Sequence, residues 1–314
     1  MTIVSPTPRT ITEAAATLRD GGVVAFATET VYGLGCDTFN ENAIEQVYLL
    51  KGRPVNNPMI AHVLDISWVN KLTDHWDDRC ALLAMNFWPG ALTLVLPRRS
   101  DVPASACGGY DTVGIRCPSH PVAVSLLEEF AGPISAPSAN RSGYISPTQA
   151  AHVEEEFAGS VLVLDGGPCD RGIESTVLSL VKTPALLRPG SISIEEIEQS
   201  LGPVLRGDYQ EQIDSPGTSI RHYAPKTPVI VCSHDEIEET VDENCAAMVL
   251  LSISACTKQT ETMPETPEKY ATRLYAVLRE MDAVGASKIL IEKPPNTDEW
   301  LAVRDRLSRC SSGM

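Results

Sequence analysis

Apolar residues recur along the chain in short continuous runs divided by stretches of helical period, the pattern of strands covered on both faces and of the helices that cover them. The run at 23–27 (VVAFA) is of strand length and ends in the polar turn Thr28, Glu29, Thr30. Before it, residues 11–20 predict a short helix with Thr10 as its cap and Gly21-Gly22 as its stop. After it, Gly33-Leu34-Gly35 reads as a stretch where two glycines permit backbone shapes that other residues avoid. Asn40 is placed to cap a helix over 41–50, which delivers Lys51 and Arg53 at its end before Pro54 forbids continuation. Further strands are expected at 59–63, 91–96, 112–116, 133–136, 160–164 and 176–181, with helices near 78–87, 119–130, 147–157 and 193–200. This alternation predicts an α/β fold, with mixed strand directions where the connections are short.

From Gly202 to Pro228 the periodicity fades into a Pro- and Gly-rich stretch, expected to be a linker. Beyond it come strands at 229–232, 247–253 and 288–292 and helices near 235–243, 267–284 and 298–309. In the long helix Tyr270, Leu274, Val277, Leu278 and Met281 fall on one face, which suits packing on a small parallel sheet. The organisation expected is a first domain over 1–205, a linker or lid over 206–228, and a smaller α/β domain over 229–314, a count of two that fits 314 residues.

Charge narrows the function. The formal net charge is −16; residues 229–314 carry 9 basic and 15 acidic side chains, leaving 16 and 26 for the remainder. Both parts being acidic, extensive nucleic-acid binding by the bulk surface is disfavoured, although a local basic cleft is not. The nine cysteines form no CxxC pair and match no histidine spacing, so neither a zinc site nor a disulfide framework is indicated. The N-terminus lacks the plan of a signal peptide and no apolar stretch is long enough for a membrane span, which makes a reducing cytoplasm the expected setting.

There is no GxxxxGK[ST] loop, no GxGxxG after a strand, no HExxH and no GxSxG. A P-loop, a dinucleotide fold, a zincin and a serine hydrolase therefore lose their usual support. The informative segment is Lys51-Gly52-Arg53-Pro54, followed by Asn57, Pro58 and His62. Two cations at i and i+2, fixed by proline, suit phosphate oxygens, yet basic residues also finish helices merely to complement the dipole. Residues 135–143 (SAPSANRSG) follow an apolar strand, where small and hydroxyl residues let a ligand approach the backbone, or simply make a capped turn. Cys36 reads as a small buried filler, with no base or cation beside it.

Taken together, the segment 28–35 (TETVYGLG), the KGRP segment, SAPSAN, Glu174-Ser175-Thr176-Val177 and Leu187-Arg188-Pro189-Gly190 occur in the order seen in the YrdC-like threonylcarbamoyl-AMP synthases. This resemblance covers roughly residues 10–205, and Ser215-Pro216-Gly217 with Arg221-His222-Tyr223-Ala224-Pro225 is similar to the linker of that family's longer, two-domain form. The chain departs from the family's habit at Ala27, often proline, and at Asn56-Asn57, where basic residues are common.

The resemblance implies an open, twisted mixed sheet with a basic concave cleft, and synthesis of threonylcarbamoyl-AMP from L-threonine, bicarbonate and ATP. It assigns Thr30, His62, Arg116 and Ser175 to threonine. To the nucleotide it assigns Arg53, Asn57, Thr112, Ser138, Asn140, Ser146, Arg188 and Tyr223, with Lys51 close to the phosphates and Lys51 and Arg53 as the catalytic pair. His62 is expected to touch substrate rather than act as a general base. Mg²⁺ is expected to accompany ATP with no protein-bound metal, and the product to pass to a tRNA threonylcarbamoyl-transferase complex without stable nucleic-acid or membrane binding. Residues 215–225 are expected to close over the cleft as a lid. Two rivals stand: an RNA-binding module without catalysis, and a carbamoyl-transfer domain, whose accompanying zinc-finger and acylphosphatase-like segments the chain lacks.

Overall fold

The computed structural model describes residues 2–206, 223–253 and 256–311. The linker expected over 207–222, and the lid expected up to His222, lie outside the described residues. The first region runs β1 (Ile3–Val4), α1 (Pro8–Arg19), β2 (Val24–Phe26), β3 (Gly33–Asp37), α2 (Glu41–Lys51), β4 (Ile60–His62), α3 (Asp78–Phe87), β5 (Leu92–Pro97), β6 (Thr112–Arg116), α4 (Pro121–Phe130), β7 (Ile134–Ser135), α5 (Ala150–Phe157), β8 (Leu162–Leu164), β9 (Thr176–Ser179), β10 (Ala185–Arg188) and α6 (Ile194–Leu201). The second runs β11 (Val229–Cys232), α7 (His234–Thr240), β12 (Cys245–Val249), β13 (Gln259–Thr262), α8 (Pro267–Ala283), β14 (Lys288–Glu292) and α9 (Leu301–Ser311).

Strands β1 to β10 form one mixed sheet in the order β1-β8-β2-β3-β7-β4-β6-β5-β9-β10. β4 and β6 are parallel, with His62 opposite Arg116, while β7 runs antiparallel to β4. The second region is a four-stranded sheet, order β11-β14-β12-β13, in which every pairing is parallel. The α/β class and the small parallel sheet are thus as the sequence predicts.

Local chemistry explains where the boundaries moved. Helix α1 starts at Pro8 because Thr7 is the cap; Thr10 sits three residues in and completes a capping box with it. Asn40 caps α2 as expected, its side chain accepting from the Ala43 amide. The glycines at 33 and 35 are in a strand rather than a turn. A Cβ on Gly35 would lie 2.6 Å from the Phe26 ring and 2.8 Å from Ile134, so these glycines serve close packing between β2, β3 and β7. β13 was not expected, because the edge strand Gln259–Thr262 carries no apolar run. The helix expected at 298–309 divides into a tight turn, Asp298–Trp300, and α9.

The two regions share a core. Val31, Ile145 and Ile173 of the first pack with Tyr270, Leu274, Tyr275 and Leu307 of the second. Gly172 is pressed so closely on α8 that a Cβ there would meet the Thr272 Cα at 2.4 Å, and the Thr272 hydroxyl donates to the Asp170 carbonyl at 2.9 Å.

Candidate active site

The turn after β2 builds one end of a cleft. The Thr28 hydroxyl donates to the Val31 carbonyl at 2.6 Å and accepts from the Thr30 and Val31 amides, a hydroxyl turn that directs Thr30 inward. Arg116, at the end of β6, reaches that turn: Nη1 donates to Thr30 Oγ1 at 2.9 Å, Nε to the Gly90 carbonyl at 3.2 Å, and Nη2 is 2.6 Å from Glu29 Oε1. Burial raises the Glu29 carboxyl, but the guanidinium and its hydrogen bonds outweigh that, and its pKa is held below the ordinary value.

His62 faces Arg116 from β4. Its Nδ1 has two carbonyls for neighbours, Ile60 O at 3.1 Å and Ile134 O at 3.3 Å, so the ring proton belongs on Nδ1 and Nε2 is left as an acceptor. Burial, with Arg116 adding to it, lowers its pKa to about 3. Such a ring is neutral and a poor base near neutral pH, which suits a hydrogen-bonding contact.

The other end is made by Arg53, Ser138, Arg188 and Tyr223. Gly52 in the left-handed region (φ 59°) stops α2 and turns Arg53 across the cleft. There Nε donates to Asn57 O at 3.1 Å, and Nη2 to Asn57 Oδ1 at 2.6 Å and Pro58 O at 2.8 Å. Arg188, at the end of β10, donates to the Ser175 carbonyl from Nε at 3.1 Å and Nη2 at 3.0 Å, and to Ser175 Oγ at 3.2 Å. Tyr223 holds a positive φ of 60°, uncommon for a side chain of its size.

Of the residues named from sequence, Thr30, Arg53, His62, Arg116, Ser138, Ser175, Arg188 and Tyr223 line this cleft. Lys51, Asn57, Thr112, Asn140 and Ser146 stand outside the lining. Asn57 holds Arg53, and Ser146 donates to Glu174 Oε1 at 2.5 Å. Asn140 pins its own loop through the Arg141 and Tyr144 carbonyls, and Thr112 begins β6 opposite Pro97. Lys51 is buried beneath the 138–140 loop, its ammonium donating to the Ser138 carbonyl at 2.6 Å and to the Asn140 carbonyl. Burial, with Arg53 adding to it, lowers its pKa well below the ordinary value.

Sequence reasoning gave no role to Glu29, Glu174, Tyr275 or Arg306. Glu174 lines the cleft and accepts from Ser146, from Tyr275 at 2.9 Å and from Arg306 Nε at 2.9 Å. A signal was present for Arg306: it lies three residues after Val303 and one before Leu307, a charge on the buried face of α9.

The lining is arginine-rich within an acidic protein: Arg53, Arg116 and Arg188 stand there with one carboxylate, Glu174, which is paired with Arg306, while Glu29 behind the lining is paired with Arg116. No group of histidine, cysteine, aspartate or glutamate able to hold a metal exists among the described residues. The lining carboxylate, Glu174, is committed to Arg306. The cavity at the centre is about 50 Å³. That is far below the roughly 300–1,000 Å³ of a typical ligand site.

Fold and site together define an α/β protein that gathers buried arginines, hydroxyls and a neutral imidazole on the concave side of a mixed sheet, the equipment of an anion-handling enzyme. Residues 16–190 match the Sua5, YciO and YrdC family, described as telomere recombination, and residues 192–312 match the threonylcarbamoyl-AMP synthase C-terminal domain. The Pyrococcus abyssi threonylcarbamoyl-AMP synthase is 40% identical, covering 95% of this chain and 93% of that protein. The Bacillus subtilis one is 39% identical, covering 96% and 93%. The crystal structure of P. abyssi Sua5 complexed with L-threonine matches with a TM-score of 0.92 at 38% identity, over 98% of this chain and 96% of that one. The chain belongs to the threonylcarbamoyl-AMP synthase family, and with it to the nucleotidyl-transferring enzymes.

Proposed function

We propose that the chain makes L-threonylcarbamoyl-AMP from L-threonine, bicarbonate and ATP. The amine of threonine and bicarbonate condense to a carbamate with loss of water. A carbamate oxygen then attacks the α-phosphorus, and pyrophosphate departs with the electrons of the broken phosphorus–oxygen bond. Two anions must meet, so charge is the obstacle, and positioning with charge stabilisation supplies most of the rate. Mg²⁺ carried by ATP would add positive charge at the phosphate oxygens.

The observation that carries this reading is the convergence of Arg53, Arg116 and Arg188, from three separated segments, on one concavity. Arg116 with Thr30, Ser175 and the neutral His62 suits an amino acid: the guanidinium fork takes the carboxylate, and the hydroxyls and Nε2 take its polar hydrogens. Arg53, Ser138, Arg188 and Tyr223 suit the nucleotide, with Arg53 opposing the charge of the phosphates. Lys51, fixed under the 138–140 loop, shapes that wall. The product is the activated group for N6-threonylcarbamoyladenosine in tRNA, handed to a transferase complex, which places the work in the cytoplasm.

A pyrophosphate-release assay with ATP and bicarbonate, comparing threonine, serine and no amino acid, tests the reading. Release that depends on threonine is expected. Release indifferent to the amino acid, or salt-sensitive binding of bare tRNA without release, would overturn it.

A further inference from the structure

We propose that Tyr275 on α8 and Arg306 on α9, both in the second domain, are positioning residues for synthesis: through Glu174 they fix the backbone of residues 174–176 that aims Ser175 and Arg188 into the cleft. The kinetic part of this inference rests on the proposed function; the structural part does not.

Glu174 is buried, yet it lines the cleft. One oxygen takes the Ser146 hydroxyl at 2.5 Å, and the other takes both Tyr275 Oη and Arg306 Nε at 2.9 Å. Two of its three partners therefore come from the second domain. Arg306 is fully buried, held on its far side by Asp305 at 2.6 Å, with its guanidinium carbon 5.2 Å from the centre of the Tyr223 ring. Tyr223 stacks on Tyr275 at 5.7 Å, and its carbonyl accepts from the Cys310 thiol at 3.0 Å. The same two helices thus hold Glu174 and the aromatic wall of the cleft.

The next link is covalent. Ser175 follows Glu174, and its carbonyl takes two N–H groups of Arg188 while its hydroxyl is 2.7 Å from that of Thr93. This backbone has no slack: a Cβ on Gly190 would lie 2.3 Å from the Thr176 nitrogen, 2.5 Å from the Ser175 carbonyl carbon and 2.7 Å from the Glu174 backbone carbonyl oxygen. A tilt of the Glu174 side chain must then move Arg188. Burial works against the Glu174 charge, but Arg306 and Arg188 keep the carboxyl ionised, its pKa below the ordinary value. An ion pair that only joined the domains would have no reason to line the cleft; Arg206 with Asp298 at 2.8 Å is such a pair, with both partners partly exposed.

The test compares Tyr275→Phe, Arg306→Lys, Arg306→Met and, as a control, Asp298→Asn in the full chain. Readouts are kcat and KM for ATP in threonine-dependent pyrophosphate release, the acid limb of the kcat/KM profile, the affinity for ATP alone by calorimetry, and the urea midpoint. Tyr275→Phe, which loses one hydrogen bond, should raise the KM for ATP about 3–10-fold and move the acid limb to higher pH. Arg306→Met should be worse by about another tenfold and Arg306→Lys should recover part of that. Asp298→Asn should change neither KM nor the acid limb. If Tyr275→Phe and Arg306→Lys fold and keep the parent KM, acid limb and ATP affinity, the positioning role is wrong. Should the parent protein show no threonine-dependent release while both variants still bind ATP more weakly, the functional reading fails and the positioning role survives.

Discussion

The two ends of the cleft each rest on a buried carboxylate and an arginine, but they are built differently. At one end Glu29, in the turn after β2, and Arg116, at the end of β6, both belong to the first region, 2.6 Å apart, and Arg116 is anchored further by Thr30 and Gly90. At the other, Glu174 belongs to the first domain and Arg306 to the second. A cleft end whose charge pair is closed within one region forms whenever that region forms, whereas an end whose counter-charge arrives from a separate domain is complete only when the two are docked. The Glu29 end is therefore closed within the first region, and the Glu174 end, Ser175 included, is conditional on the second.

The sharpest way to break this contrast is Arg116→Met. It strands Glu29 in the interior, and should lower stability by about 3–5 kcal/mol in urea unfolding and cut threonine-dependent release more than about 100-fold. A stable, active Arg116→Met protein would remove the basis for calling that end self-contained. Next comes Gly190→Ala, whose new carbon meets only backbone at 2.3–2.7 Å. A loss of about 1–3 kcal/mol is expected, with the KM for ATP rising more than that for threonine; equal rises would mean the ends are not separable.

The pH axis separates them too. With the His62 pKa lowered to about 3 from 6.5, the native state binds fewer protons than the unfolded chain between those values, so stability falls as pH drops through that window. Between pH 7 and about 5.5 the loss should be about 1 kcal/mol greater in the urea-derived free energy than in His62→Gln, which keeps the like contribution of His152, whose pKa burial lowers to about 4. Glu29 and Glu174 are held below the ordinary carboxylate value; their contribution, full above about 4.5, is lost as pH falls further, and survives the His62 change. The smallest effect is the control at neither end. Thr7→Ala, which removes the α1 cap, should cost about 1 kcal/mol and leave activity per folded molecule unchanged.

How far all this could be read beforehand depended on what each residue touches. The buried strand at 92–97 announces itself as a largely apolar run, and Asn40, Gly52 and Pro54 carry their signals within a few residues of where they act. The cationic cleft was legible because Arg53, Arg116 and Arg188 sit in ordered motifs. What escaped was set by distant packing: the glycines at 33 and 35 are required by the Phe26 ring and Ile134, and Thr7 outcompeted Thr10 as a cap because Pro8 favours the first helical position. The burial of Lys51 had no local signal either, since the two loop carbonyls it donates to lie 87 and 89 residues away. Glu174 was visible, but its partner lies 132 residues on.

That last separation sets an order of events during synthesis. A nascent chain can build the large sheet and bring Arg116 to Glu29 while everything after β10 is still unmade. Glu174 must wait for α9 to leave the ribosome before its counter-charge exists. A truncated translation product would then carry Glu174 without the two partners that α8 and α9 supply.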